Sequence, residues 1–309
     1  MVGIIIGVAL IILIAIILFI GKKCCDIAIK PDIAQKYSNL VFTPEQKEVL
    51  NKTHEEGLKW LEQNGEEVEI ISYDGLKLKG YEIKANPESN KWVIAVHGYM
   101  GKGADMTSYV EQFIKYGYNG LIVDLRGHAK SEGVYIGMGW LDHYDLQIWI
   151  DKIIEENRKS KIVLYGISMG AATVSMTTGE ELPDNVKCAI ADCGYTTVWD
   201  EFKIHLKKIF HIPAFPIMHS ASLMSKIFAG YRFKEASTIK QVKKSKTPTL
   251  FIHGACDRFV PYSMLEKIYN SASCEKEKLE IEEAKHAESS NVNPEKYWGT
   301  VKAFIEKYI

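Results

Sequence analysis

The sequence predicts an α/β fold, a mostly parallel sheet with helices on both faces, preceded by an N-terminal transmembrane helix. Three observations predict it. Strand-like and helix-like segments alternate along most of the chain, which builds a parallel sheet because each crossover must pack back onto the sheet. Asp74-Gly75 sits between two alternating runs and marks a tight hairpin, adding antiparallel strands at one edge. Residues 2–20 carry no polar side chain at all.

The apolar run comes first. At about 1.5 Å per residue it is long enough to cross a hydrocarbon core of about 30 Å. Gly21-Lys22-Lys23 ends it. A cleaved secretory signal has its basic residues before the apolar run and a small-residue site after it. Here the order is reversed, so residues 1–23 read as an uncleaved anchor rather than a cleaved signal or a buried core helix. The lysine pair follows the span, so the positive-inside rule predicts that the rest of the chain is cytoplasmic and the N-terminus external. Residues 24–65 read as a polar juxtamembrane connector with one amphipathic helix carrying Leu50, Leu58, Trp60 and Leu61.

Residues 66–309 read as one domain. The hairpin is predicted over 68–73 and 76–81. Further strands are predicted at 92–96, 120–123, 162–165, 186–191, 249–252 and 278–281, and helices at 108–116, 141–154, 171–178, 263–270 and 294–308. The interval 195–246 breaks the rhythm with Trp199, Phe202, Phe210, Phe215, Met218, Met224, Phe228, Tyr231 and Phe233. A structureless loop of that length does not suit a compact domain, so it reads as a helical cap.

Bulk composition bounds the function only loosely. The 309 residues are 47% apolar and 25% charged, with a net charge of −1, which suits a globular protein and points to no nucleic acid or other polyanion. The six cysteines form no CxxC pair and no Cys/His spacing suited to zinc, so they read as free, buried thiols. No phosphate-cradling glycine loop or metal cluster appears, and no cofactor is implied.

The chemistry concentrates in a few residues. Gly166-Ile167-Ser168-Met169-Gly170 lies between a predicted strand and a predicted helix. A nucleophilic serine needs that sharp turn, flanking glycines for close backbone approach, and the positive end of a helix beside it. A serine hydroxyl also needs a base. His286, just past the last strand, is the candidate base, and Asp257, after the strand ending in His253-Gly254, is the candidate orienting acid. Asp192 is the rival acid, one strand earlier, and otherwise reads as a turn residue. Two backbone N–H groups must face the developing oxyanion. Met169 supplies one; Tyr99, in His97-Gly98-Tyr99-Met100, supplies the other. His97 and His253 read as braces of their His-Gly turns, and the polar loop from Asp124 to Gly133 as a structural turn. Cap side chains facing the sheet are expected to line an apolar acyl pocket for a small-molecule substrate.

These residues resemble the α/β-hydrolase superfamily from about residue 66 to the C-terminus. More narrowly, the chain is similar to bacterial membrane-anchored hydrolases of the serine aminopeptidase S33 and BEM46-like group, also in Gly139-Trp140-Leu141-Asp142 and Ala191-Asp192-Cys193-Gly194-Tyr195-Thr196. The resemblance implies an eight-stranded sheet and a triad of Ser168, His286 and Asp257. Ala129 departs from it, standing where many relatives have glycine. The expected reaction is hydrolysis of a carboxylic ester or thioester through an acyl-serine. Alternatives are a peptidase or aminopeptidase-like amide hydrolase, and a non-catalytic binding protein on the same fold.

Overall fold

The computed structural model describes residues 1–37 and 43–309. Part of the expected connector, residues 38–42, lies outside the described residues. Strands β1 (Glu66–Ile71) and β2 (Lys77–Ile83) pair antiparallel across Asp74-Gly75, where Gly75 takes φ +87°. Strands β3 (Lys91–Val96), β4 (Asn119–Val123), β5 (Lys161–Ile167), β6 (Val186–Asp192), β7 (Thr249–Gly254) and β8 (Lys276–Ile281) run parallel to their neighbours. With β2 antiparallel to β4, the eight strands follow the order β1-β2-β4-β3-β5-β6-β7-β8. The predicted α/β fold is the observed one.

Side-chain alternation along the strands divides the core between two faces. Val93 and Ala95 of β3 pack under α3 (Pro44–Asn64), α4 (Thr107–Lys115) and α12 (Pro294–Ile305). Ile94 and Val96 pack under α5 (Asp142–Glu156) and α6 (Met169–Thr177). Every residue of β4 and β7 is buried, as expected of strands covered on both sides. Behind β7, α10 (Ser263–Ser271) completes the crossover to β8, and α11 (Ser289–Val292) precedes α12.

Helix α1 (Val2–Ile29) runs on past the apolar stretch, and α2 (Pro31–Tyr37) follows it. Through Ile20 its residues are exposed or half-exposed, but Gly21, Cys25 and Ile29 are buried. Their spacing of four puts them on one stripe of the helix. Cys25 and Ile29 join the cluster containing Trp149 and Ile94, and the Ile136 N–H donates to the Ile29 carbonyl at 2.7 Å. The interval 195–246 carries three helices: α7 (Val198–Phe210), α8 (Ile217–Ala229) and α9 (Thr238–Val242). An isolated antiparallel bridge between Thr197 and Ser237 draws its ends together. All six cysteines are free; Cys256 is exposed and Cys24 half-buried, unlike the other four.

One buried carboxyl gives a test of this packing. Asp142 caps the close turn at Gly139, accepting its N–H at 2.7 Å, while its other oxygen has no partner. Burial pushes its pKa up to about 7, against the pull of the Arg126 guanidinium. An unfolded Asp titrates near 3.9. The folded state therefore holds the proton more tightly, and stability falls as pH rises from about 4 to about 7. Asp142→Asn removes this slope. The melting temperature of the variant minus that of the native chain is expected to rise between pH 5 and pH 8; a constant difference would count against a protonated Asp142.

Candidate active site

The end of β5, the start of α6 and the loops after β3, β7 and β8 meet at Ser168. Ser168 is 8% exposed and sits at φ +57° and ψ −116°, a conformation that β-carbon-bearing residues resist. Its surroundings hold it there. The Ser168 N–H donates to the Asp192 carbonyl at 2.8 Å. A β-carbon on Gly166 would lie 2.2 Å from the Gly170 carbonyl oxygen, and one on Gly170 would lie 2.0 Å from that of Val96. Both glycines are therefore required by close approach.

His286 Nε2 lies 2.9 Å from Ser168 Oγ, and His286 Nδ1 lies 2.7 Å from Asp257 Oδ2. A carboxylate only accepts, so Nδ1 carries the proton and Nε2 is left to accept from the serine hydroxyl. Asp257 Oδ1 accepts the Phe259 and Val260 N–H groups at 2.8 and 3.0 Å. Burial raises the Asp257 pKa, but hydrogen bonds with His253 and His286 outweigh it and hold the carboxyl down to about 2. The Phe259 ring packs 4.8 Å from His286.

The loop after β3 lies against the serine. A β-carbon on Gly98 would meet Ser168 Cβ at 3.3 Å. His97 Nε2 accepts the Leu125 N–H at 3.0 Å while Nδ1 faces the Gly98 carbonyl at 2.7 Å. His128 Nε2 accepts the Met100 N–H at 3.3 Å. Burial pushes these two imidazoles down, His97 to about 3 and His128 to about 4, so both stay neutral and able to accept. The Met100 donor is thus occupied. Among the described residues, no acceptor is recorded for the Tyr99 or Met169 N–H.

Above Ser168 lies a cavity of about 140 Å³. Phe202, Leu206 and Phe210 of α7 line one side, and Cys24, Ile27 and Ala28 of α1 line another. Glu201 and His205 also face it, joined at 2.7 Å. Cys193 brings its sulfur within 4.8 Å of the ligand atoms of Asp257 and His286. Those two side chains are already committed to each other, so the cluster belongs to this site.

The family model for the serine aminopeptidases of group S33 matches residues 87–237. Over 271 residues the chain is 28% identical to the uncharacterized protein YqkD of Bacillus subtilis, covering 84% of this chain and 88% of that one. An uncharacterized membrane protein of Saccharomyces cerevisiae, YNL320W, is 23% identical over 244 residues, 78% of this chain and 79% of its own. Among solved structures, the Pyrococcus furiosus esterase Pf2001 superposes with a TM-score of 0.65 at 26% identity, over 81% of this chain and 95% of that one. The chain is an α/β hydrolase that resembles the S33 group. As an enzyme it is of the esterase and peptidase-like type.

Within this hydrolase, Ser168, His286 and Asp257 come together as one hydrogen-bonded line. Asp192, the rival acid, instead accepts the Tyr297 hydroxyl at 3.0 Å, and burial pushes its pKa up to about 6. The loop from Asp124 to Gly133 is structural. Arg126 is 2% exposed and clamped by Asp145 at 2.7 Å and Asp74 at 2.8 Å, and Ser131 donates to the Asp124 carbonyl. Ala129 keeps a left-handed φ of +45°, the conformation for which glycine is the usual choice.

Two features escaped the sequence. His253 does brace its turn, meeting the Val260 carbonyl at 2.9 Å, but it also reaches Asp257 at 3.2 Å. Asp257 therefore serves two histidines. The spacing of four between His253 and Asp257 was the available signal. The α1 wall was also missed, although Gly21, Cys25 and Ile29 carry a helical stripe past the lysines.

Proposed function

We propose that this hydrolase cleaves a carboxylic ester or thioester through an acyl-Ser168 intermediate. The single observation that carries the reading is the relay Ser168–His286–Asp257, with contacts of 2.9 and 2.7 Å. Ser168 Oγ attacks the acyl carbon as His286 Nε2 takes its proton. Asp257 fixes the ring and stabilises the imidazolium. The Tyr99 and Met169 N–H groups receive the oxyanion. His286 then protonates the leaving oxygen or sulfur, and water repeats the sequence to release the acid. Residues 1–23 anchor the domain formed by residues 66–309, with its cap at 195–246, to a membrane. Lys22 and Lys23 hold it on the cytoplasmic side.

One observation favours amide hydrolysis as a second reading. Glu201 faces the cavity from the cap, and its buried Oε2 has no partner. A substrate ammonium would satisfy it. Fluorophosphonate labelling of the full chain, with p-nitrophenyl esters assayed beside aminoacyl p-nitroanilides, separates the possibilities. We expect labelling at Ser168 and faster turnover of the esters. Faster anilide turnover, reduced more than ester turnover by Glu201→Gln, establishes the second reading. Absence of both labelling and turnover leaves a binding protein.

A further inference from the structure

The helix that reads as an anchor is also a wall of the catalytic cavity. Helix α1 leaves its exposed apolar portion and enters the domain with no break, so no flexible tether separates them. Cap helix α8 packs along it. The Ser220 hydroxyl donates to the Ile17 carbonyl at 3.0 Å, and a β-carbon on Gly21 would lie 2.0 Å from Ser220 Oγ. Ile17 precedes the end of the apolar run by three residues, about 4.5 Å along a helix. The cap therefore reaches the level at which the chain would leave a bilayer. Flanking this contact, Phe215 and Ile227 are 74% and 60% exposed, as suits side chains that meet an apolar medium.

One to two turns further on, Cys24, Ile27 and Ala28 line the cavity above Ser168. The same stretch holds the loop at the reacting end, since the Tyr99 hydroxyl donates to the Ala28 carbonyl at 2.9 Å. Membrane exit, cavity wall and Tyr99 loop thus share one rigid element.

We propose that α1 is part of the acyl-binding site, and that the substrate is a long-chain acyl ester resident in the bilayer. Its chain lies between α1 and α7, with the ester carbonyl at Ser168. This rests on the acyl-Ser168 reading and adds the substrate class and the route of entry. The bilayer keeps the leaving group at the surface while the acyl chain exchanges one apolar environment for another, so little desolvation opposes transfer.

The test uses the full chain reconstituted in phosphatidylcholine vesicles. Ala28→Phe should lower the ratio of kcat/KM for p-nitrophenyl laurate over butyrate by about tenfold or more, by filling the wall. Ile27→Ala should shift the same ratio the other way. Opposite shifts do not arise from general damage. Ratios unchanged within about twofold in both variants would overturn the proposal. In a second arm, vesicle-embedded 1-oleoylglycerol should be cleaved faster than oleoyl-coenzyme A supplied in solution; the reverse order overturns entry from the bilayer. Fluorophosphonate labelling of native Ser168 is read in parallel. Labelling with unshifted ratios sinks only this inference, whereas no labelling removes the acyl-serine reading and this one with it.

Discussion

Ser168→Ala is expected to lower ester turnover by about 10⁵- to 10⁶-fold, the effect seen when a serine hydrolase loses its nucleophile. The fold should survive. The backbone at residue 168 is held by the N–H bond to the Asp192 carbonyl and by the tight contacts of Gly166 and Gly170, none of which uses the hydroxyl. The melting temperature should accordingly stay within a few degrees of the native value. The proposed oxyanion donors, both backbone N–H groups, are untouched by this substitution, so residual activity above the buffer rate is expected. Turnover above about one per cent of native would mean that Ser168 is not the nucleophile.

Asp257→Asn should cost about 10⁴-fold in kcat. The side chain keeps its size, but its amide can present an N–H to His286 Nδ1. That reverses the tautomer, puts the proton on Nε2, and removes the acceptor for the serine hydroxyl. The native carboxyl is held down to about 2, so it stays ionised at any working pH. Its contribution to stability is complete above the unfolded value near 3.9 and is lost as pH falls through about 2. An acid melt should therefore show the native chain losing stability between about pH 4 and pH 2, with a shallower fall in the variant. Rates within tenfold of native would show that His286 is oriented without Asp257.

Much of this site was legible because its logic is local. Gly166 to Gly170 folds as a strand-turn-helix unit whose glycines are fixed by contacts a few residues away, and the order serine, acid, histidine follows the order of the sheet edge. The inner strands were legible for a related reason: buried on both faces, they read as short apolar runs, and only their ends shifted. What stayed hidden depends on contacts distant in sequence. Lys22, Lys23 and Asp26 made residues from 24 onward look like a polar connector, although Lys22 and Asp26 satisfy each other at 2.6 Å while Cys25 and Ile29 face the core. The double burden on Asp257 was signalled only by its spacing of four from His253, since His253-Gly254 otherwise reads like His97-Gly98. Arg126 belonged to a loop expected to be structural, but its partner Asp74, 52 residues away, was out of view.

The unbroken passage of α1 into the domain bears on how this hydrolase is to be prepared. Deleting residues 1–20 for work in aqueous buffer would leave Cys25 and Ile29 in their core positions and Cys24, Ile27 and Ala28 along the cavity. A cut after Ile29 would spare all of Ser168, His286 and Asp257 while opening the core around Trp149 and releasing the Tyr99 hydroxyl from its acceptor. The trimmed enzyme would then be purified with its reacting groups intact and its substrate preference altered.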